Sequence, residues 1–285
     1  MSDIPIAQNP QPVARPETPE LLNVPTGILR QMQDFAYFHP RNLSTVRDNC
    51  LAELEIVPDL AARSYYSIPY NLGKKNETRV EGPSIKAAMT MLRNFGNSIN
   101  GGRVSDEDKS NFFVEGLVLD LQANVITMRP IRVSKFYKPS GGQGVIPKNA
   151  DMLYNSVQAG ISKAIRNSIL ATVPDWLVHE YFTRAKEIVI NPPSKQMRSE
   201  RSIQQRIVDG KNAIMKSFGV TPEELNTYVQ SNLDAIEDDA SLLIHLQGLF
   251  NSLKDGEYTV VQVFNRATEE RKAPTMPVEK VDVPS

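Results

Sequence analysis

The chain has 285 residues, enough for one ordinary domain plus a smaller second one. A hydrophobic share of 40% excludes a wholly disordered protein, and no apolar run reaches the roughly 20 residues of a membrane helix. Net charge is -1, but residues 1–62 carry 4 Lys/Arg and 8 Asp/Glu, residues 63–216 carry 23 and 13, and residues 217–285 carry 5 and 12, so a basic middle lies between acidic ends. That distribution points to a polyanion-binding core. The single cysteine, Cys50, excludes an internal disulfide and a cysteine-based zinc site. MSDIPIAQNP has neither the basic start nor the apolar block of a secretory leader, so a reducing cytoplasm is the expected compartment.

Residues 1–26 hold six prolines and no apolar period, and a disordered arm is expected there. From Thr26 the pattern is helical, with Ile28, Met32 and Phe35 on one face, until Pro40. A second helix is expected over Leu43–Ile56, with Val46, Cys50 and Leu54 inward. Tyr65–Tyr70 reads as extended, and residues 71–81 as an exposed basic loop. Pro83 reads as a first helical residue, followed by an inward stripe of Ile85, Ala88, Met89 and Leu92. Gly96 ends that helix, and Asn100, Gly101 and Gly102 read as a turn.

Phe112–Asp120, apolar on both sides apart from Glu115, reads as a buried strand. Val125–Tyr137 reads as its hairpin partner through the link Leu121–Asn124. Pro130 cannot donate a ladder bond and implies an edge position or a bulge. With a one-residue bulge, Ile126 and Met128 would share the core face with Ile131 and Val133, and Arg129 and Arg132 would share the other face with Phe136. Residues 138–149 read as a basic loop. The clearest helix is Ala150–Thr172, with Leu153, Val157, Ile161, Ile165 and Ile169 as its inward stripe. Further helices are expected after Pro174 up to Pro192, around Ile203–Phe218 with Gly219 as C-cap, from the capping box Thr221–Glu224, and over Leu242–Leu253. The fold class is therefore α+β: a small antiparallel β-sheet backed by a long helix, plus a helical C-terminal domain. The expected division is an arm (1–26), a core (27–196), a helical domain (197–264) and a flexible tail (265–285).

No Gly-x-x-x-x-Gly-Lys-Ser/Thr loop is present, and His39, His179 and His245 have no ligand spacing, so neither ATP hydrolysis nor a histidine metal site is expected. Asp106, Glu107, Lys109 and Asp120 are the carboxylates and lysine that a metal-dependent nuclease would use. A hydrophilic turn is the competing reading for the first three. The cations are more informative in combination. The candidate DNA-binding residues are Lys74, Lys75, Arg79, Arg93, Arg103, Arg129, Arg132, Lys135, Lys138, Lys148, Lys163 and Arg166, with Tyr65, Tyr66, Phe136 and Tyr137 as candidate base-stacking rings.

The segments Glu81-Gly82-Pro83-Ser84-Ile85, Phe95-Gly96-Asn97, Asp120, and Ala164-Ile165-Arg166-Asn167-Ser168-Ile169-Leu170 with Val173-Pro174 resemble a group of phage-encoded single-strand annealing proteins, that of the RecT, Redβ and Erf recombinases. Tyr65–Pro69, Gly219-Val220-Thr221 and Leu249–Glu257 are similar to the same group, so the resemblance spans about residues 35–264. Phe95 stands where tryptophan is common in that group, which favours core packing over stacking for this ring. The resemblance implies binding of single-stranded DNA, ATP-independent annealing of complementary strands in recombination, no cofactor, and assembly into rings or filaments. It leaves the acidic C-terminal segment to contact neighbours, a single-strand binding protein or an exonuclease, in a bacterial host cytoplasm. The rival expectations are the nuclease and a phage structural or scaffold protein.

Overall fold

The computed structural model describes residues 24–70, 78–137, 145–192, 202–231, 236, 238–256 and 258–264. Residues 1–23 of the expected arm, the expected tail, and the loop cations Lys74, Lys75 and Lys138 lie outside these residues. Helix α1 (Thr26–Phe38) opens the chain, and α2 (Leu43–Ile56) begins at Asn42, whose side chain accepts the N–H groups of Ser44 and Thr45. Val46, Cys50 and Leu54 of α2 are buried as the sequence indicates. Burial pushes the Cys50 thiol up to about 12, so it is inert packing rather than a nucleophile. After α3 (Pro58–Ala62) comes a hairpin of β1 (Tyr65–Tyr70) and β2 (Thr78–Pro83).

Helix α4 (Ile85–Phe95) is capped by Ser84, which accepts from Ala87 N–H. Pro83 thus closes β2 instead of opening the helix. The buried side of α4 is Ala87, Ala88, Thr90, Met91, Leu92 and Phe95, while Met89 is exposed. The expected stripe is rotated because small residues at 87 and 88 let the helix approach its neighbours closely. Gly96 (φ 65°) ends α4 in a conformation that favours glycine.

Strands β3 (Ser98–Glu107), β4 (Asn111–Asp120) and β5 (Val125–Ser134) form an antiparallel sheet in that order. Asn100, Gly101 and Gly102 belong to β3 and do not form the expected turn. A side chain at 102 would meet Ile161 Cγ2 at 2.7 Å, so this glycine serves helix packing within a strand. The pairing of β4 with β5 is unbroken from Asn111–Ser134 to Asp120–Val125, and the expected bulge at Pro130 is absent. An edge strand turns every second N–H away from the sheet, and Pro130 sits at such a position without disturbing the ladder. Arg129 and Arg132 consequently face opposite sides. Ile126 and Met128 lie on the side of Arg132, away from Ile131 and Val133.

A two-stranded ribbon, β6 (Phe136–Tyr137) with β7 (Ile146–Pro147), precedes α5 (Ala150–Leu170). Helix α5 packs on the sheet through Gly160, Ala164 and Ser168, one residue off the expected stripe. A Cβ on Gly116 of β4 would lie 2.1 Å from the Ala164 carbonyl carbon, and Ser168 Oγ donates to the Gly116 carbonyl at 2.7 Å. Ile161 and Ile165 flank this line over β3. Small residues win the centre because they allow backbone-to-backbone contact, and the isoleucines fill the shoulder.

Helices α6 (Asp175–Ile190), α7 (Ile203–Phe218), α8 (Pro222–Ser231), α9 (Asp239–Lys254) and α10 (Val260–Val263) follow. The capping box forms as read: Thr221 N–H donates to Glu224 at 2.8 Å and Glu224 N–H to Thr221 Oγ1 at 3.2 Å. Apolar residues of α2, α4, α6, α7, α8 and α9 share one continuous core with Tyr65 and Ile169. The architecture is α+β, a three-stranded antiparallel sheet on the long helix α5, followed by C-terminal helices.

Replacing Gly116 with alanine forces α5 off the sheet. Urea unfolding of G116A is expected to show a loss of about 3 kcal/mol, the upper end for overpacking; an unchanged midpoint contradicts this contact.

Candidate nucleic-acid interface

The candidate cations separate into distinct environments. Arg93 on α4 is exposed but ion-paired with Glu53. Arg103 on β3 pairs with Glu115 across the strands at 3.4 Å. Lys135 reaches Glu107 at 2.5 Å and lies over the Phe112 ring at 4.6 Å. Of Arg79 only the backbone, in β2, is described. Arg166 is buried at 3% exposure, on the side of α5 away from the sheet, with its guanidinium 4.8 Å from the centre of the Tyr66 ring. It is part of the interior. Tyr65 is fully buried and Tyr66 half-buried, whereas Phe136 and Tyr137 sit half-buried on the β6–β7 ribbon.

The remaining cations do come together in part. Arg129 on β5 is opposite Gly116, and Gly116 is where Ala164 of α5 rests, so Arg129 stands exposed beside the helix. Ile161 and Ile165 lean toward β3. Helical geometry puts Lys163, Asn167 and Ser156 on the other flank, toward β5. Ser156 accepts from Lys148 Nζ at 2.9 Å, and the Lys148 N–H bonds the Lys135 carbonyl at 2.9 Å. Burial holds the Lys148 ammonium below its ordinary range. Lys148, Lys163 and Arg129 thus line one seam between α5 and β5, with Ser156 and Lys163 roughly 10 Å apart along the helix. None of the three has a carboxylate partner among the described residues. Arg132 is also free of an ion pair among those residues, but it lies on the opposite sheet face.

Of a second group, sequence reading singled out only Arg166. Lys86, Lys254, Arg166 and Arg63 all act on Asp255, whose carboxyl is raised by burial against their pull. Hydrogen bonds join these elements: Ser84 Oγ donates to the Arg63 carbonyl at 2.6 Å, and Asn251 Nδ2 donates to the carbonyls of Ala62 and Tyr65 at 2.7 Å each. The four cations come from four separate stretches of chain, so no local pattern announces them.

The carboxylates considered for metal chemistry are engaged. Asp106 accepts the Glu107 N–H at 2.7 Å and Glu107 pairs with Lys135, while Asp108 beside them accepts the N–H groups of Ser110 and Asn111, the Ser110 bond leading in holding its carboxyl below the usual range. Asp120 is buried and receives both ends of the Arg41 guanidinium, at 2.6 and 2.7 Å, and the N–H groups of Gln122 and Ala123. Arg41 also stacks 3.6 Å above the Phe95 ring, so Phe95 is core. No group of three or more metal-ligating side chains exists among the described residues. No helix among them is long and apolar enough to cross a membrane. Comparison of the chain with family models, curated proteins and solved structures finds no match.

Burial opposes ionisation of Asp120, but Arg41 and the hairpin N–H groups outweigh it and depress the carboxyl. A depressed folded value means the stabilisation is full above the unfolded value of about 3.9 and fades as pH falls through the folded one. Arg41→Ala is expected to cost roughly 3 kcal/mol in urea unfolding at pH 7, with a smaller difference from wild type at pH 3. An equal difference at both pH values removes Asp120 from the account.

Proposed function

We propose that this protein binds single-stranded DNA and anneals complementary strands without a nucleotide cofactor, acting as a homo-oligomer. The observation that carries the reading is the α5–β5 seam, where Lys148, Lys163 and Arg129 stand along one line without carboxylate partners among the described residues. The α+β core, a small antiparallel sheet on a long helix, is the architecture implied by the resemblance to phage single-strand annealing proteins.

Two free strands repel through their phosphates and fold on themselves. A row of cations along a seam neutralises one strand and holds it extended, and its sequence-independent contacts leave base edges available. A second strand then tests those edges, so base pairing supplies the specificity. Phe136 and Tyr137, half-buried on the ribbon that leads into α5, are the rings this reading assigns to base stacking. One copy spans only a few nucleotides, and a useful annealing length takes several side by side. The acidic C-terminal segment, net -7 over residues 217–285, is suited to protein neighbours such as a single-strand binding protein or an exonuclease, and not to DNA. The bacterial host cytoplasm is the compartment that fits this activity.

The test is the salt dependence of binding to labelled single-stranded DNA. Each phosphate contact contributes about 0.7 to the slope of log affinity against log salt. Arg129→Ala combined with Lys163→Ala is expected to lower that slope by roughly 1.4, while Arg132→Ala, on the other sheet face, leaves it unchanged. A slope unaffected by the double variant, or no binding by the wild type at low salt, refutes the seam.

A further inference from the structure

Two unpartnered apolar surfaces remain, and each is what the other lacks. Helix α1 has 13 residues but buries only Ala36, which with Leu29 rests on Leu119, Leu121 and Ile99. Its most apolar stripe turns outward: Ile28 is 49% exposed, Met32 36% and Phe35 60%. Tyr37 and Phe38 beyond it are more exposed still. A helix this short is marginal without a packed face. The sheet has the converse defect. Helix α5 covers one face; on the other, α1 of the same chain covers Ile99 and Leu119, but Ile126 and Met128 on the edge strand beside them stand 50% and 37% exposed next to Pro130 and Arg132. A helix stripe and a sheet face are the two layers that a stable core joins.

We propose that α1 of one chain covers this open sheet face, around Ile126 and Met128, in a second copy of the chain. Charge favours that occupant. Asp34 on α1 and Arg132 on the sheet face are both exposed and without an ion pair among the described residues, and they are opposite in charge. At the level of whole segments, residues 1–62 carry net -4 and residues 63–216 carry net +10, so the region bearing α1 is attracted to the core of another copy. Exposed methionine and aromatic side chains are the composition of an interface core. The same surroundings disfavour nucleic acid, since the exposed charge on α1 nearest the stripe's C-terminal half is the acidic Asp34, while the unpaired cations of the α5–β5 seam face the other side of the sheet. If the two surfaces are used in one direction only, each added copy leaves one of each free, and a ring or filament grows. The proposal rests on the homo-oligomer in the reading above and names its surface.

The experiment uses the full chain without DNA and measures mass in solution by light scattering and sedimentation. Wild type is expected to associate. Met32→Glu and Met128→Glu are each expected to weaken association about a hundredfold while retaining the wild-type circular dichroism spectrum. Asp34→Arg or Arg132→Asp alone is expected to weaken it about fivefold, and the two together to restore it. Restoration by the swap cannot come from misfolding. A monomeric wild type, or association unchanged in both methionine variants, overturns the proposal. So does unchanged mass with reduced DNA affinity, which assigns the face to nucleic acid. Because no DNA is present in the mass measurement, a failure here is distinct from a failure of annealing.

Discussion

Helix α5 touches β4 backbone to backbone, and much else follows from that contact. Gly116 has no side chain, Ala164 almost none, and Ser168 hydrogen-bonds the Gly116 carbonyl. The closeness sets the rotation of α5. Gly160, Ala164 and Ser168 face the sheet, Ile161 and Ile165 fill the space over β3, and Lys163 turns toward β5. The same rotation sends Arg166 away from the sheet into the interior against Tyr66. A helix rotated by one residue, with Ile161 and Ile165 centred on the sheet, would stand farther off and give Lys163 a different neighbour. The cationic seam is thus a consequence of small residues at the layer interface.

Several cations among the described residues have a structural role. Arg41 closes the β4–β5 hairpin through Asp120, Arg103 bridges strands, Lys135 ties β5 to the end of β3, and Lys186 pairs with Glu81. Such pairs organise geometry and contribute modestly to stability where they are exposed. The candidate cations of the sheet and α5 that have no carboxylate partner among the described residues are sorted by face. Lys148, Lys163 and Arg129 sit on the α5 side, while Arg132 sits on the other with exposed apolar side chains. The two proposals divide along that line: a polynucleotide on one face and another copy of the chain on the other. Neither surface requires the other to be displaced.

The helices were the most legible part of the sequence, since four-residue apolar spacing and cap chemistry act locally. Asn42, Ser84, Gly96, Gly219 and the Thr221–Glu224 box all do what their types suggest. What sequence could not give was rotation and register. The α5 and α4 stripes were displaced because alanine, glycine and serine count little on a hydrophobic scale yet permit the closest approach. Strand β3 was hidden by its glycines, which usually signal turns but here accommodate Ile161 and Ile165. The faces of Arg129 and Arg132 depended on whether Pro130 made a bulge or only marked an edge, a choice settled by pairing across the sheet. Of the candidate site, the seam cations were identifiable by type alone, Arg166 was misread because burial is a tertiary property, and the cluster around Asp255 left no local trace.

The central claim is that phosphate neutralisation along the α5–β5 seam presents a strand for pairing. Two complementary labelled oligonucleotides, mixed with the protein and magnesium but no nucleotide, test it most directly through energy transfer on duplex formation. The account predicts pairing faster than the spontaneous rate, with both strands recovered at full length. Pairing at the spontaneous rate, or shortened strands, contradicts it.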